Sequence, residues 1–128
     1  MKKCKYIGVK EVMAQPMKAH EALQKGYKIG NSTPECNGFE VEYKDGYKSW
    51  CPAGVFIEAY KCADTFTDRL HIELSELTER LDKLSNFINS DMFKEISVGK
   101  QMLMKEQSVV MAEYCNLLKK RISLEEEQ

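Results

Sequence analysis

The sequence predicts an α+β chain: a small N-terminal antiparallel sheet with a short helix, then two long antiparallel helices. Three observations carry this. Leu70, Leu74, Leu77, Leu81, Leu84 and Ile88 recur at alternating four- and three-residue steps, which puts them on one face of a helix. Phe39, Val41 and Tyr43 alternate with Glu40 and Glu42 just ahead of Asp45 and Gly46, the pattern of a strand entering a tight hairpin turn. Asn89, Ser90 and Asp91 interrupt the helical period before a second apolar segment, which divides the C-terminal half into helices near 65–90 and 97–123.

Each element has a local reason. Residues 5–13 alternate loosely and suit a strand, which Pro16 interrupts. Residues 17–26 suit a short helix or turn that stops at Gly26, and residues 27–29 a further strand. Residues 30–37 carry Gly, Asn, Ser, Thr and Pro and read as a loop. Tyr47 to Trp50 return as the partner strand, so the sheet spans residues 5–50. Pro52 suits the first turn of a short helix that Val55, Phe56 and Tyr60 seat on the sheet. Thr65 or Thr67 caps the first long helix, with Asp68 in its favourable first turn. Ser97 caps the second, whose apolar residues are Met102, Leu103, Val110, Met111, Leu117, Leu118 and Ile122. Lys119, Lys120 and Arg121 complement the negative end of its dipole, and the acidic tail over residues 123–128 frays. The boundary falls between a sheet module, 1–63, and a helical hairpin, 64–128, whose long apolar stripe predicts oligomerisation.

Composition narrows the function classes. The chain has 128 residues, 30% charged and 43% hydrophobic, with net charge −1. Nine basic against seven acidic residues give +2 over residues 1–60; ten against thirteen give −3 over 61–128. Neither half has the basic face that duplex nucleic acid requires. No apolar run follows Lys2 and Lys3 as a secretory leader would need, and none approaches a membrane span. The five cysteines are odd in number and lack CxxC spacing, so they read as reduced cytosolic thiols, mostly packing residues.

Catalytic chemistry is not written in the pattern. His20 and His71 lack ligand spacing, the glycines form no phosphate loop, and Glu73 and Glu76 read as a solvated helix face. No nucleophile has an oriented base, so the expectation is a protein without enzymatic activity, metal or cofactor. Tyr43, Tyr47, Trp50, Phe56 and Tyr60 offer a stacking platform for a base, but read more simply as a small aromatic core. The leucine stripe is core or a helix seam. The Lys119-Lys120-Arg121 run, on charge pattern alone, is a solvated helix end.

The pattern DRL…E…L…RLxKLxxFIxSxxF over residues 68–93, followed by Glu106, Gln107, Met111, Tyr114, Leu118, Arg121 and Ile122, resembles the helical phage anti-CBASS sponges. The pattern YIGVKEVxAxPM…GY…GFEVEYKDGYKSWCPxxVFxEAY in the front half is similar to a module that recurs in phage and prophage proteins. A sheet module ahead of two long helices is also similar to the first described family of Thoeris anti-defence sponges. These resemblances imply a homo-oligomer built from dimers, up to a hexamer, in the cytoplasm of an infected bacterium. They imply sequestration of a cyclic nucleotide immune signal: cyclic di- or trinucleotides, or cyclic ADP-ribose isomers. They place Arg121, Lys83 and Arg69 at ligand-binding positions, with Tyr114, Lys120 and Lys119 by proximity. A symmetric assembly offers one such cation per phosphate, which lets a chain of net charge −1 hold a polyanion. The alternative is a structural or adaptor phage protein that oligomerises through its helices and binds a protein partner.

Overall fold

The Asp45-Gly46 turn organises the front of the chain. Gly46 takes φ +90, where a side chain would be strained, and Asp45 accepts the Tyr47 amide at 3.0 Å. In this computed structural model, which describes residues 1–127, the turn joins strands β2 (Gly38–Glu42) and β3 (Lys48–Pro52). A third strand, β1 (Met13–Pro16), pairs antiparallel with the other edge of β2, giving the order β1-β2-β3. The chain divides into two compact units, Met1–Lys61 and the remainder from Cys62.

The first strand is not where the alternation over residues 5–13 puts it. Residues 1–12 have no regular structure, and the strand begins at Met13. Register explains the shift. Met13 lies opposite Glu42, and the chain turns soon after Glu42. Residues upstream of Met13 therefore run past the end of β2, with no neighbouring strand to take their backbone hydrogen bonds. Residues 27–29 are not a strand either. Helix α1 (Ala19–Gln24) closes with Gly26 at φ +90, and the Tyr27 amide bonds back to the Ala22 carbonyl at 2.9 Å. That is a glycine-terminated helix end, and it commits the Tyr27 backbone to the helix.

The expected aromatic core divides between surfaces. Trp50 is buried with Met17, Ala19 and Ala22, and its indole N–H donates to the Met17 carbonyl at 2.7 Å. Gly38 permits this, since a Cβ there would collide with the indole and the Cys51 carbonyl. Phe39 pairs with Cys51, one residue on, and so faces the opposite side of the sheet. There its ring stacks on Phe56 of helix α2 (Ala53–Ala59) at 4.2 Å, and Phe56 meets Tyr60 at 5.0 Å. Pro52 is the cap of α2 rather than its first-turn residue. Tyr43 and Tyr47 pair at 5.8 Å beside the turn, and Tyr47 is exposed.

The second unit is a helical hairpin. Thr65 caps α3 (Phe66–Ile88): its hydroxyl accepts the Asp68 amide, and the Asp68 carboxylate accepts the Thr65 amide. The Thr65 amide, the largest influence, holds the Asp68 carboxyl below its ordinary range. A short 3-10 turn, Asp91–Glu95, buries Phe93 edge-on to Phe87. Ser97 then caps α4 (Val98–Glu126). The acidic tail does not fray as expected: α4 is helical to Glu126, where a carboxylate oxygen lies 2.8 Å from His71 Nε2, while Gln128 lies outside the described residues.

The hairpin core is narrower than its apolar content suggests. Leu70 and Leu77 of α3 bury against Cys115, Leu118 and Ile122 of α4, flanked by Leu74, Leu81 and Met111. Met102, Leu103, Val110 and Leu117, read from sequence as one apolar set with these, are exposed. The cysteines are also not mostly packing residues: Cys115 is buried, Cys36 and Cys51 are half-buried, and Cys4 and Cys62 are exposed. Among the described residues, no helix is long and apolar enough to cross a membrane.

Candidate ligand-binding surface of the helical unit

The antiparallel hairpin brings the start of α3 beside the end of α4. Phe66, the first helical residue after the Thr65 cap, lies under the Arg121 guanidinium at 5.8 Å from ring centroid to Cζ. His71 meets Glu126 on the same end. Arg69 points its Nη1 back to the Ala63 carbonyl at 3.3 Å, which holds it in the same terminal region. Lys119 and Lys120 stand exposed beside Arg121 in the last turns of α4. Four of these side chains are basic, Arg69, Lys119, Lys120 and Arg121, set against Glu126 and its acidic neighbours.

The other candidates stand apart. Lys83 lies 14 residues along α3 from Arg69, about 21 Å at 1.5 Å per residue. Its Nζ pairs with Glu79 Oε1 at 3.4 Å, in the i,i+4 geometry of an exposed helix ion pair. Tyr114 lies two turns before Arg121 on α4, exposed, and on the same helical face as Arg121. The structure thus groups Arg121, Arg69, Lys119 and Lys120 at one end, sets Tyr114 in line with Arg121, and leaves Lys83 toward the opposite end of α3, near the turn into α4.

Arg121 differs from Arg69, Lys119 and Lys120 in resting on an aromatic ring: Phe66 lies under its planar guanidinium and orients it. Phe66 escapes the sequence reading because it lies 55 positions from Arg121 and meets it only when the hairpin closes. A different signal was available for the exposed apolar residues of α4. Leu103, Val110, Leu117 and Leu124 recur at seven-residue intervals, a spacing masked by the core residues between them.

The sheet unit has a recess of its own. Residues 28–32, with Trp50 and Pro52, line an open groove of about 500 Å³. None of the basic residues singled out from the sequence borders it. Among the described residues, no three His, Cys, Asp or Glu side chains gather as a metal ion would require.

Comparison with known proteins bears on the helical unit. Neither the curated proteins nor the solved structures contain a match to this chain. Residues 64–124, running from just before the α3 cap nearly to the end of α4, match the family model described as Sequestin, and that match fits a sequestering protein.

Proposed function

We propose that this protein is a phage anti-defence sponge that binds a cyclic nucleotide immune signal and holds it without turnover. The observation that carries this is the Sequestin match over the helical unit. The resemblance of the same residues to anti-CBASS sponges supports cyclic di- or trinucleotides as the ligand class, and the similarity of the sheet-plus-two-helix layout to a Thoeris anti-defence sponge supports cyclic ADP-ribose isomers. In this reading the protein works in the cytoplasm of the infected cell. Its helical units assemble into a homo-oligomer, and Arg121 meets a ligand phosphate while Tyr114 or Phe66 offers a face for a base. Removing free signal needs no chemistry, only a site concentration above that of the messenger and a low dissociation constant.

The test is to mix purified protein with each ligand class, remove unbound material, and denature the protein by heat. A sponge depletes the ligand and then returns it intact. An enzyme returns product. Failure to deplete any of the three classes would refute the proposal and favour the adaptor reading.

A further inference from the structure

The segment ahead of β1 has the alternation of a strand without a strand's bonds. Its apolar side chains stand in solvent: Tyr6 is 90% exposed, Ile7 82% and Val9 91%. The phase of the β1 ladder shows which backbone groups this edge of the sheet offers. Met13 lies opposite Glu42 and Gln15 opposite Glu40, and the Met17 amide donates to the Gly38 carbonyl at 2.9 Å. Odd positions therefore bond toward β2, and even positions turn their N–H and C=O outward. Pro16, which has no N–H to give, occupies an even position, as an edge strand allows. The same phase holds upstream of Met13. The Lys10 ammonium lies over the Tyr43 ring at 5.2 Å, and Tyr43 continues the face that Ala14 and Val41 share.

We infer that residues 4–12 form an antiparallel two-stranded ribbon with the same residues of a second copy, on a two-fold axis through Gly8. Even positions are the open ones on both copies, so even must bond to even, and the axis must pass through a residue. At Gly8 every opposed pair is complementary. Lys5 faces the second copy's Glu11, Ile7 its Val9, Tyr6 its Lys10, and Cys4 its Val12. Each of these contacts occurs twice by symmetry. The Lys5–Glu11 and Ile7–Val9 pairs fall at odd positions, the non-hydrogen-bonded pairs in which side chains approach closest. The second copy's Tyr6 meets Lys10 on the face where Lys10 already rests on Tyr43, so the ammonium lies against two rings. Neighbouring registers lose this agreement. An axis at Ile7 sets Lys5 against Val9 and Cys4 against Lys10. An axis at Val9 sets Ile7 against Glu11, and one at Lys10 sets like charge on like charge.

A free two-stranded ribbon is marginal in water. Here each strand is anchored at one end, because residues 13–16 are already ordered by their ladder to β2. Fewer residues then have to be fixed when the copies meet, which lowers the entropic cost of pairing. The ribbon is built wholly from the sheet unit, and it gives residues 4–12 the neighbouring strand that β2 does not supply. It uses no residue of the helical unit and is independent of whether that unit holds a ligand.

Cysteine cross-linking of the full chain reads the register without any ligand. In a chain with Cys4 and Cys62 changed to Ser, Ile7→Cys alone and Val9→Cys alone should stay unlinked under mild oxidation. An equimolar mixture of the two should give a disulfide-linked dimer. Self-linking of Ile7→Cys would put the axis at position 7, self-linking of Val9→Cys at position 9, and self-linking of both would show a parallel pair; each overturns the inference. So does a mixture that yields no more dimer than either variant alone. Lys5→Glu placed in both partners should cut the mixed yield several-fold, and adding Glu11→Lys should restore it. A yield indifferent to both changes overturns the register. Amide hydrogen exchange of the unmodified chain gives a second reading. As protein concentration rises, the amides of Tyr6, Gly8 and Lys10 should slow while those of Ile7, Val9 and Glu11 stay fast. Protection of both sets, or of neither, overturns the ribbon.

Discussion

Replacing Leu118 by alanine removes three carbons from the least exposed side chain of the hairpin core, 0% accessible between Leu70, Leu77, Cys115 and Ile122. At about 0.8 kcal/mol per buried methylene, the lost transfer free energy is about 2.4 kcal/mol. Both walls of the site are helix backbones that cannot collapse fully into the gap, so a cavity term adds to this. The expected loss is about 3–4 kcal/mol, inside the range for buried Leu→Ala changes. Leu117→Ala, one residue away but 58% exposed, removes the same atoms from the opposite condition. Urea unfolding followed by circular dichroism at 222 nm reads the helical unit. Fluorescence of the single tryptophan, Trp50, reads the sheet unit separately. Leu118→Ala should move the dichroism midpoint by the same amount at every protein concentration and leave the tryptophan transition in place. Leu117→Ala should act only at concentrations where copies associate. Equal losses for the two variants in dilute monomer would refute the assignment of separate core and outward faces to α4.

Arg121→Ala should weaken ligand binding at least tenfold by calorimetry, since a charge-assisted bond to a phosphate is worth about 1.5–3 kcal/mol. Lys2→Ala, in the unstructured N-terminal segment, is the control, and equal affinities would reduce Arg121 to a helix-end charge. The sheet unit should lose stability in acid. The Tyr27 hydroxyl donates to Glu40 at 2.7 Å and, with Gln15 and Lys25, holds that carboxyl below its ordinary range. Because the folded value is lowered, this stabilisation is present above about pH 4.3, the unfolded glutamate value, and is lost as pH falls through the folded value. Tyr27→Phe should therefore shift the acid transition of Trp50 fluorescence to higher pH, and an unchanged transition would show that the contact does not stabilise the unit.

Much of the fold is legible in the residues because the deciding physics is local. The Asp45-Gly46 turn, the Thr65 and Ser97 caps and the break at Asn89 each rest on side chains within three positions of the backbone they control. The α3 stripe announces its buried face by period alone. Where the sequence misleads, a distant partner decides. Residues 5–12 have the composition of a strand, but strand formation needs a neighbour to bond, and β2 turns away before reaching them. The apolar residues of α4 look like one set, yet only the hairpin's rotation about its own axis separates Leu118, with no exposure, from Leu117, with most of its surface in water. Arg121 is one of three consecutive basic residues in the sequence. Closure of the hairpin alone lays it on Phe66 and leaves Lys119 and Lys120 in solvent. Local propensity writes caps, turns and periods into the chain. Which side chains become core and which stay in solvent is settled only when segments far apart in sequence meet.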